Sequence, residues 1–257
     1  MAEAAVVVTR PAGQADVLIN QLRAIGRVPV QFPLLEIHPL ADPAPLRSVL
    51  ARLHEFALVA FVSPNAIDAT FAHIEKWPVT TPLAVMGDGS RRALALHGVD
   101  SQHYRITSPT DLSRSDSQTL LAALDLAALD GERVLILRGE SGRELLADAL
   151  RSAGIAVEQV AAYRRAEPAM TPARCAHLQA LLDGENNWII TSSEAVRILM
   201  RQVQHVDPHN GVAKMQRQKI FVSHHRIAET AQTLGLRAVF LTAAGDTGML
   251  TALQSRP

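Results

Sequence analysis

Val6-Val7-Val8-Thr9-Arg10 opens a stretch that returns, 128 positions later, as Val134-Leu135-Ile136-Leu137-Arg138. Carried on without gaps, the shift lays Val6 to Ile37 on Val134 to Arg165, so Arg10 meets Arg138, Arg23 meets Arg151 and Gly26 meets Gly154. After its apolar run each copy passes through small and polar residues. Apolar residues then follow at i, i+4 and i+7: Leu18, Leu22 and Ile25 in one copy, Leu146, Leu150 and Ala153 in the other. That spacing puts three side chains on one face of a helix. Gly26 and Gly154 stand where a helix ends in a residue of positive φ. The repeated unit reads strand, loop, helix, turn.

Six further strand beginnings follow the same grammar: Leu58 to Val62, Leu83 to Met86, Tyr104 to Ile106, Trp188 to Ile190, Ile220 to Val222 and Val239 to Leu241. Short apolar runs without alternation suit strands covered on both faces, as in a parallel sheet. A second echo, at a shift of 129, matches Phe61-Val62-Ser63-Pro64-Asn65-Ala66 with Ile190-Thr191-Ser192-Ser193-Glu194-Ala195. Weaker echoes link Gly87 with Ser223, and Asp116 to Leu124 with Asp246 to Leu253. The chain therefore reads as two copies of a four-strand unit, and the expected fold is α/β, two similar doubly wound parallel-sheet domains. The first strand-helix unit of each copy runs out into a Pro-punctuated segment, Phe32 to Pro39 and Val160 to Pro168, and these are the expected linkers. From the residues alone, either each copy forms its own domain or the two first units exchange places.

The 257 residues are 48% apolar and 19% charged, enough to bury a real core. Lys plus Arg equals Asp plus Glu at 25 each, so no global field draws the chain to nucleic acid or to an anionic membrane, and neither is expected as a partner. Any anionic ligand must be held locally. A single cysteine, Cys175, can form no internal disulfide, which favours a reducing compartment, with the cytoplasm as the expectation. The opening residues lack a positive leader, and the apolar stretch from Leu120 to Leu129 is interrupted by Asp125, far short of the roughly 20 residues of a membrane helix.

The chemistry-bearing residues sit just past the strands: Thr9-Arg10-Pro11, Ser63-Pro64-Asn65, Gly87-Asp88-Gly89-Ser90, Arg138-Gly139-Glu140-Ser141-Gly142, Ser192-Ser193 and Ser223. In an open α/β sheet these are the carboxyl ends of strands, where ligands bind and helix N-termini offer unsatisfied N–H groups. Singly, such residues serve as helix N-caps. Together they form a rim, and two such rims would line a cleft of hydroxyls, backbone donors and the repeat arginines.

Other motifs lead to plainer readings. Gly87-Asp88-Gly89-Ser90-Arg91-Arg92 begins like a dinucleotide fingerprint, but Arg92 replaces the glycine that brings helix and strand together, so no nucleotide cofactor is expected. His205, Asp207 and His209 lie near Asn210-Gly211 and read as a solvated loop; no metal is expected. Cys175 has no adjacent base, and His224-His225 reads as a polar helix cap. Tyr163, one of two tyrosines, stands in the second linker, where it either covers a hinge or offers a proton or hydrogen bond to a ligand.

Four segments in order, Val-Val-Thr-Arg-Pro (7–11), Phe-Val-Ser-Pro-Asn-Ala (61–66), Leu-Arg-Gly-Glu-Ser-Gly-Arg (137–143) and Thr-Ser-Ser-Glu-Ala-Val (191–196), together with Tyr163 after the third of them, resemble the uroporphyrinogen-III synthase family over nearly the whole chain. The resemblance implies two α/β domains on a two-stranded linker with the first unit exchanged. One domain would combine 1–36 with 168–257, the other would span 40–162, and linkers would lie at about 37–39 and 163–167. It also implies dehydrating cyclisation of hydroxymethylbilane to uroporphyrinogen III with the last ring inverted, by a monomer needing no cofactor. Position by position, Tyr163 matches the family tyrosine that assists departure of the hydroxyl. Ser63, Ser192 and Ser193 match cleft hydroxyls, and Arg10 and Arg138 match strand-end arginines. Asn65, Gly87, Ser90 and Ser223 complete the expected substrate-binding set. Where many members carry Gly-Thr after the third strand, this chain has Ser90 in one copy and Ser223-His224-His225-Arg226 in the other, leaving open whether His225 or Arg226 takes the threonine's position. A non-catalytic two-domain protein that closes on a small anion is the alternative from another class.

Overall fold

The structure, a computed structural model, describes residues 4–109, 117–142 and 144–255. In chain order its elements are β1 (Val6–Val8), α1 (Asp16–Ala24), β2 (Pro29–Gln31), β3 (Glu36–His38), α2 (Ala44–Leu50), β4 (Leu58–Phe61), α3 (Pro64–Phe71), β5 (Leu83–Val85), α4 (Asp88–Leu96) and β6 (Ile106–Thr107). The second half continues with α5 (Ser117–Ala123), β7 (Arg133–Gly139), α6 (Leu145–Ser152), β8 (Ala156–Ala166), α7 (Pro172–Asp183), β9 (Asn187–Ile189), α8 (Ser193–Val206), α9 (Gly211–Met215), β10 (Lys219–Val222), α10 (His225–Thr233), β11 (Val239–Leu241) and α11 (Gly245–Gln254). Asp116 and Arg143, at the edges of two sequence motifs, lie outside the described residues.

The chain divides into two α/β units. One is built from 1–36 and 166–257, the other from 37–165. The first holds a five-stranded parallel sheet in the order β11-β10-β9-β1-β2. The second holds a six-stranded sheet in the order β3-β8-β7-β4-β5-β6, parallel from β8 through β6. The first strands of the two copies have exchanged: β1 pairs with β9, and β7 pairs with β4. The repeat is kept down to register. Val6 opposes Pro29 and Asn187, while Val134, its equivalent, opposes Val157 and Leu58.

Burial on both faces explains why these strands read as continuous apolar runs. In the first unit Val7, Trp188, Ile220 and Val222 enter one core layer, and Val6, Val8, Ile189 and Phe221 the other. In the second unit Val59, Phe61, Leu135 and Leu137 face one way, and Leu58, Ala60, Val134 and Ile136 the other. Two polar side chains inside the first unit pair with each other: Trp188 Nε1 donates to Gln218 Oε1 at 3.1 Å, and the fully buried Gln218 donates to the Gly184 carbonyl at 2.8 Å. Three elements differ from the sequence expectation. Pro29–Gln31 forms the edge strand β2, and the expected linker from Val160 is the far half of the eleven-residue strand β8, which pairs along β7 from Ala156 onward. The run at Tyr104 contributes only Ile106 and Thr107 to a strand.

Gly26 and Gly154 end α1 and α6 with φ of 78° and 81°, the left-handed conformation that a side chain opposes. Nothing lies within 4 Å of a Cβ built on Gly26, so its cost is conformational alone. Gly26→Ala is expected to lower stability in urea unfolding by about 1 kcal/mol, and Gly26→Asn by less, because Asn tolerates this region.

Candidate active site

In a doubly wound sheet the crevice for a ligand opens where two neighbouring strands send the chain in opposite directions. In the second unit that point lies between β7, which leads through α6 to β8, and β4, which leads through α3 to β5. Ser63 follows β4 and caps α3: its Oγ accepts a hydrogen bond from the Ala66 N–H at 3.2 Å, and Pro64 occupies the first turn, where no N–H is missed. On the other flank, β8 slips against β7. Arg138 opposes Ala161, but Gly139 opposes Tyr163, so one extra residue on β8 has been passed over. Such a bulge re-aims the side chains beyond it.

The result is a hydroxyl pair. Tyr163 Oη lies 3.2 Å from Ser63 Oγ, with the phenol 6% exposed and its ring across the backbone of Gly139. The Glu140 N–H donates to the Tyr163 carbonyl at 2.9 Å, fixing the strand end beside the ring. Gly89, in the first turn of α4, approaches Pro64, a Cβ there standing 3.6 Å from the proline ring, so the α3 and α4 N-termini adjoin. Gly87 precedes α4, its carbonyl accepting from the Ser90 and Arg91 N–H groups at 3.0 Å, and Ser90 is buried beneath it. The structure thus gathers Ser63, Asn65, Gly87, Ser90 and Tyr163 at the carboxyl end of one sheet.

Arg138 stands apart from that group. As Gly139's neighbour in β7 it points to the opposite face. There it pairs with Glu144 and donates to Gln159 Oε1 at 2.6 Å, while Gln159 donates to Glu144 in turn. The Gln159 hydrogen bond, and after it the Arg138 guanidinium, hold the Glu144 carboxyl below the usual glutamate range.

In the first unit the corresponding point lies between β1 and β9. Thr9 Oγ1 donates to the Ile189 carbonyl at 2.8 Å, joining the two strand ends. Arg10 forms a 2.6 Å ion pair with Asp246 in the first turn of α11. Ser192 caps α8, accepting from the Ala195 N–H at 3.0 Å. Ser193 Oγ donates to the Arg226 carbonyl at 3.3 Å and accepts from Thr230 Oγ1 at 3.0 Å, tying α8 to α10. Ser223 follows β10, and His224 caps α10, its Nδ1 accepting from the Arg226 N–H at 3.2 Å. The His225 and Arg226 side chains are exposed beside it.

Sequence reasoning named Gly139 only within a strand-end motif, without its place beside Tyr163, and missed Asp246, Glu144 and Gln159 as partners of the two arginines. Asp246 heads a segment already visible as a repeat echo, but the partners of the two arginines carry no motif of their own. Among the described residues no three His, Cys, Asp or Glu side chains gather as a metal site. Asp207 instead accepts from the Asn210 N–H at 2.9 Å and pairs with Lys214 at 2.9 Å, and these hold its carboxyl low. Cys175 Sγ is 3.8 Å from the Met170 carbonyl. No helix among the described residues is long and apolar enough to cross a membrane.

Comparison with known proteins gives concordant matches. The sequence model of a family described as "Uroporphyrinogen-III synthase HemD" matches residues 16–250. The uroporphyrinogen-III synthase of Salmonella typhimurium is 31% identical over 255 residues, 97% of this chain and 99% of the relative. That of Synechococcus elongatus is 32% identical over 199 residues, 75% of this chain and 72% of the relative. Among solved structures, the Helicobacter pylori uroporphyrinogen-III synthetase superposes with a TM-score of 0.61 at 16% identity, covering 98% of this chain and all of that one. A mutant Thermus thermophilus uroporphyrinogen III synthase superposes with a TM-score of 0.59 at 17% identity, covering 98% of each. These two likenesses concern the fold.

Because its folded-state pKa is depressed, Glu144 stabilises the protein fully above the ordinary glutamate value of 4.5, and this contribution is lost as pH falls through the lower folded value. Denaturant unfolding across the acid range should find wild type more stable than Glu144→Gln near neutrality. The difference should close as the pH drops below that value.

Proposed function

The chain belongs to the uroporphyrinogen-III synthase family, and we propose that its reaction runs at the strand-end rims described above, with Tyr163 as the catalytic residue. The chain is an enzyme that cyclises and dehydrates hydroxymethylbilane, a linear tetrapyrrole bearing an acetate and a propionate on each ring, to uroporphyrinogen III in tetrapyrrole biosynthesis. The non-catalytic anion-binding alternative finds no support in the family relationship.

The observation that carries the site assignment is the Tyr163–Ser63 hydroxyl pair at the strand-direction reversal of the second unit. In this reading the phenol donates a hydrogen bond, and then its proton, to the hydroxyl leaving the terminal carbon, which departs as water. Ring closure returns a proton to the phenolate. The azafulvene that remains is electrophilic enough to react unaided, so what the protein must supply is orientation. Holding the chain so that the substituted carbon of the last ring attacks first, through a spiro intermediate, gives the inverted isomer.

Asn65, Gly87, Ser90, Ser192, Ser193 and Ser223, with the helix N-termini they adjoin, suit the substrate's carboxylates without a net positive charge. Arg10 and Arg138 join this set by exchanging an internal carboxylate, Asp246 or Glu144, for one of the substrate's. The reading includes a cytoplasmic monomer with no nucleic-acid or membrane partner, supported by balanced charge and a single cysteine.

Tyr163→Phe should retain the fold, by circular dichroism and thermal unfolding, and lower kcat on hydroxymethylbilane by about a hundredfold, the low end for a positioned proton donor. Unchanged kinetics at equal stability would remove Tyr163 from the chemistry.

A further inference from the structure

Gly139 is a glycine that its backbone does not require: it is absent from the residues of positive φ, and it is the last residue of β7, at the register slip against β8. What its missing side chain provides is approach. A Cβ at Gly139 would stand 3.1 Å from Tyr163 Cζ, 3.2 Å from Oη and 3.3 Å from Cε2, inside the 3.5–4.0 Å at which carbon atoms pack. The phenol therefore lies against bare backbone on one side while its hydroxyl meets Ser63 Oγ. The bulge that puts Tyr163 opposite Gly139, and the hydrogen bond from the Glu140 N–H to the Tyr163 carbonyl, pin the strand that carries the ring. With the strand held, extra volume at position 139 bears on the ring, which must give by a few tenths of an ångström.

We infer that Gly139 is a positioning residue for the reaction: its bare backbone is the shelf that sets the Tyr163 hydroxyl beside Ser63. The inference rests on the assignment of Tyr163 to the chemistry, but its structural half is measurable without turnover. Because Tyr104 is the only other tyrosine, a Tyr104→Phe protein carrying ring-labelled tyrosine gives a single phenol resonance, that of Tyr163.

Gly139→Ala in that background should shift the resonance. In kinetics it should lower kcat about tenfold with KM held, since a displacement below an ångström is enough for such a loss. The kinetic effect should vanish in the Tyr163→Phe background, where no hydroxyl remains to be positioned. An unmoved resonance, or an equal kcat loss with and without the Tyr163 hydroxyl, overturns the inference. A shifted resonance together with an unimpaired Tyr163→Phe enzyme supports the shelf while removing Tyr163 from catalysis, so the two failures are distinguishable. Should Gly139→Ala not fold, Gly139→Ala/Tyr163→Leu decides. Recovery of folding identifies the ring as what the methyl strikes, and continued misfolding overturns the inference.

Discussion

The ladder between β7 and β4, running from Leu58 opposite Val134 to Phe61 opposite Leu137, is the constraint on which the second unit depends. It joins the first strand of one copy to the strands of the other. It also brings Ser63, two residues past Phe61, level with Gly139, two residues past Leu137. Every later feature of the candidate site follows from that alignment. The helix beginning at Pro64 turns its N-terminus toward the strand ends, and β8 adds Tyr163 from the far side of β7 once its register has slipped. The equivalent ladder in the first unit, Val6 opposite Asn187, brings Thr9 against the Ile189 carbonyl in the same way.

The electrostatics of the chain follow a related economy. With 25 charges of each sign, the protein has no field to attract a polyanion from a distance. Its two repeat-equivalent arginines already carry carboxylates, Asp246 from α11 in one unit and Glu144 from the loop before α6 in the other. The two partners come from different parts of the repeat, Asp246 from its last unit and Glu144 from its first. A substrate carboxylate that reaches either arginine replaces one anion by another, and no buried cation is left bare. Hydroxyls and helix N-termini bear the rest of the recognition in this account.

Much of this was legible in the sequence because it is local. The shift of 128 identified Gly26 and Gly154 as equivalent helix ends, and their φ values differ by three degrees. Apolar runs identified the parallel strands. The exchange of first units was not readable from the residues, since Val6-Val7-Val8 is as apolar beside β9 as it would be beside β4; only the family resemblance pointed to it. Strand β8 was half missed because its opening residues, Ala156-Val157-Glu158-Gln159, mix polar and apolar side chains where it lies toward the sheet's edge. Tyr163 could be singled out by its scarcity and position. Ser63 and Gly139 were named among the strand-end motifs, but their meeting with Tyr163 could not be read, because a one-residue slip between strands leaves no mark in composition or periodicity.

The central claim is that this chain directs an otherwise self-sufficient ring closure toward the less obvious product. The isomer composition of the porphyrinogen formed when the purified protein meets hydroxymethylbilane, separated chromatographically after oxidation, tests it most directly. The account predicts the inverted, type III isomer as the dominant product. The symmetric type I isomer, formed at the rate seen in protein-free buffer, would contradict it.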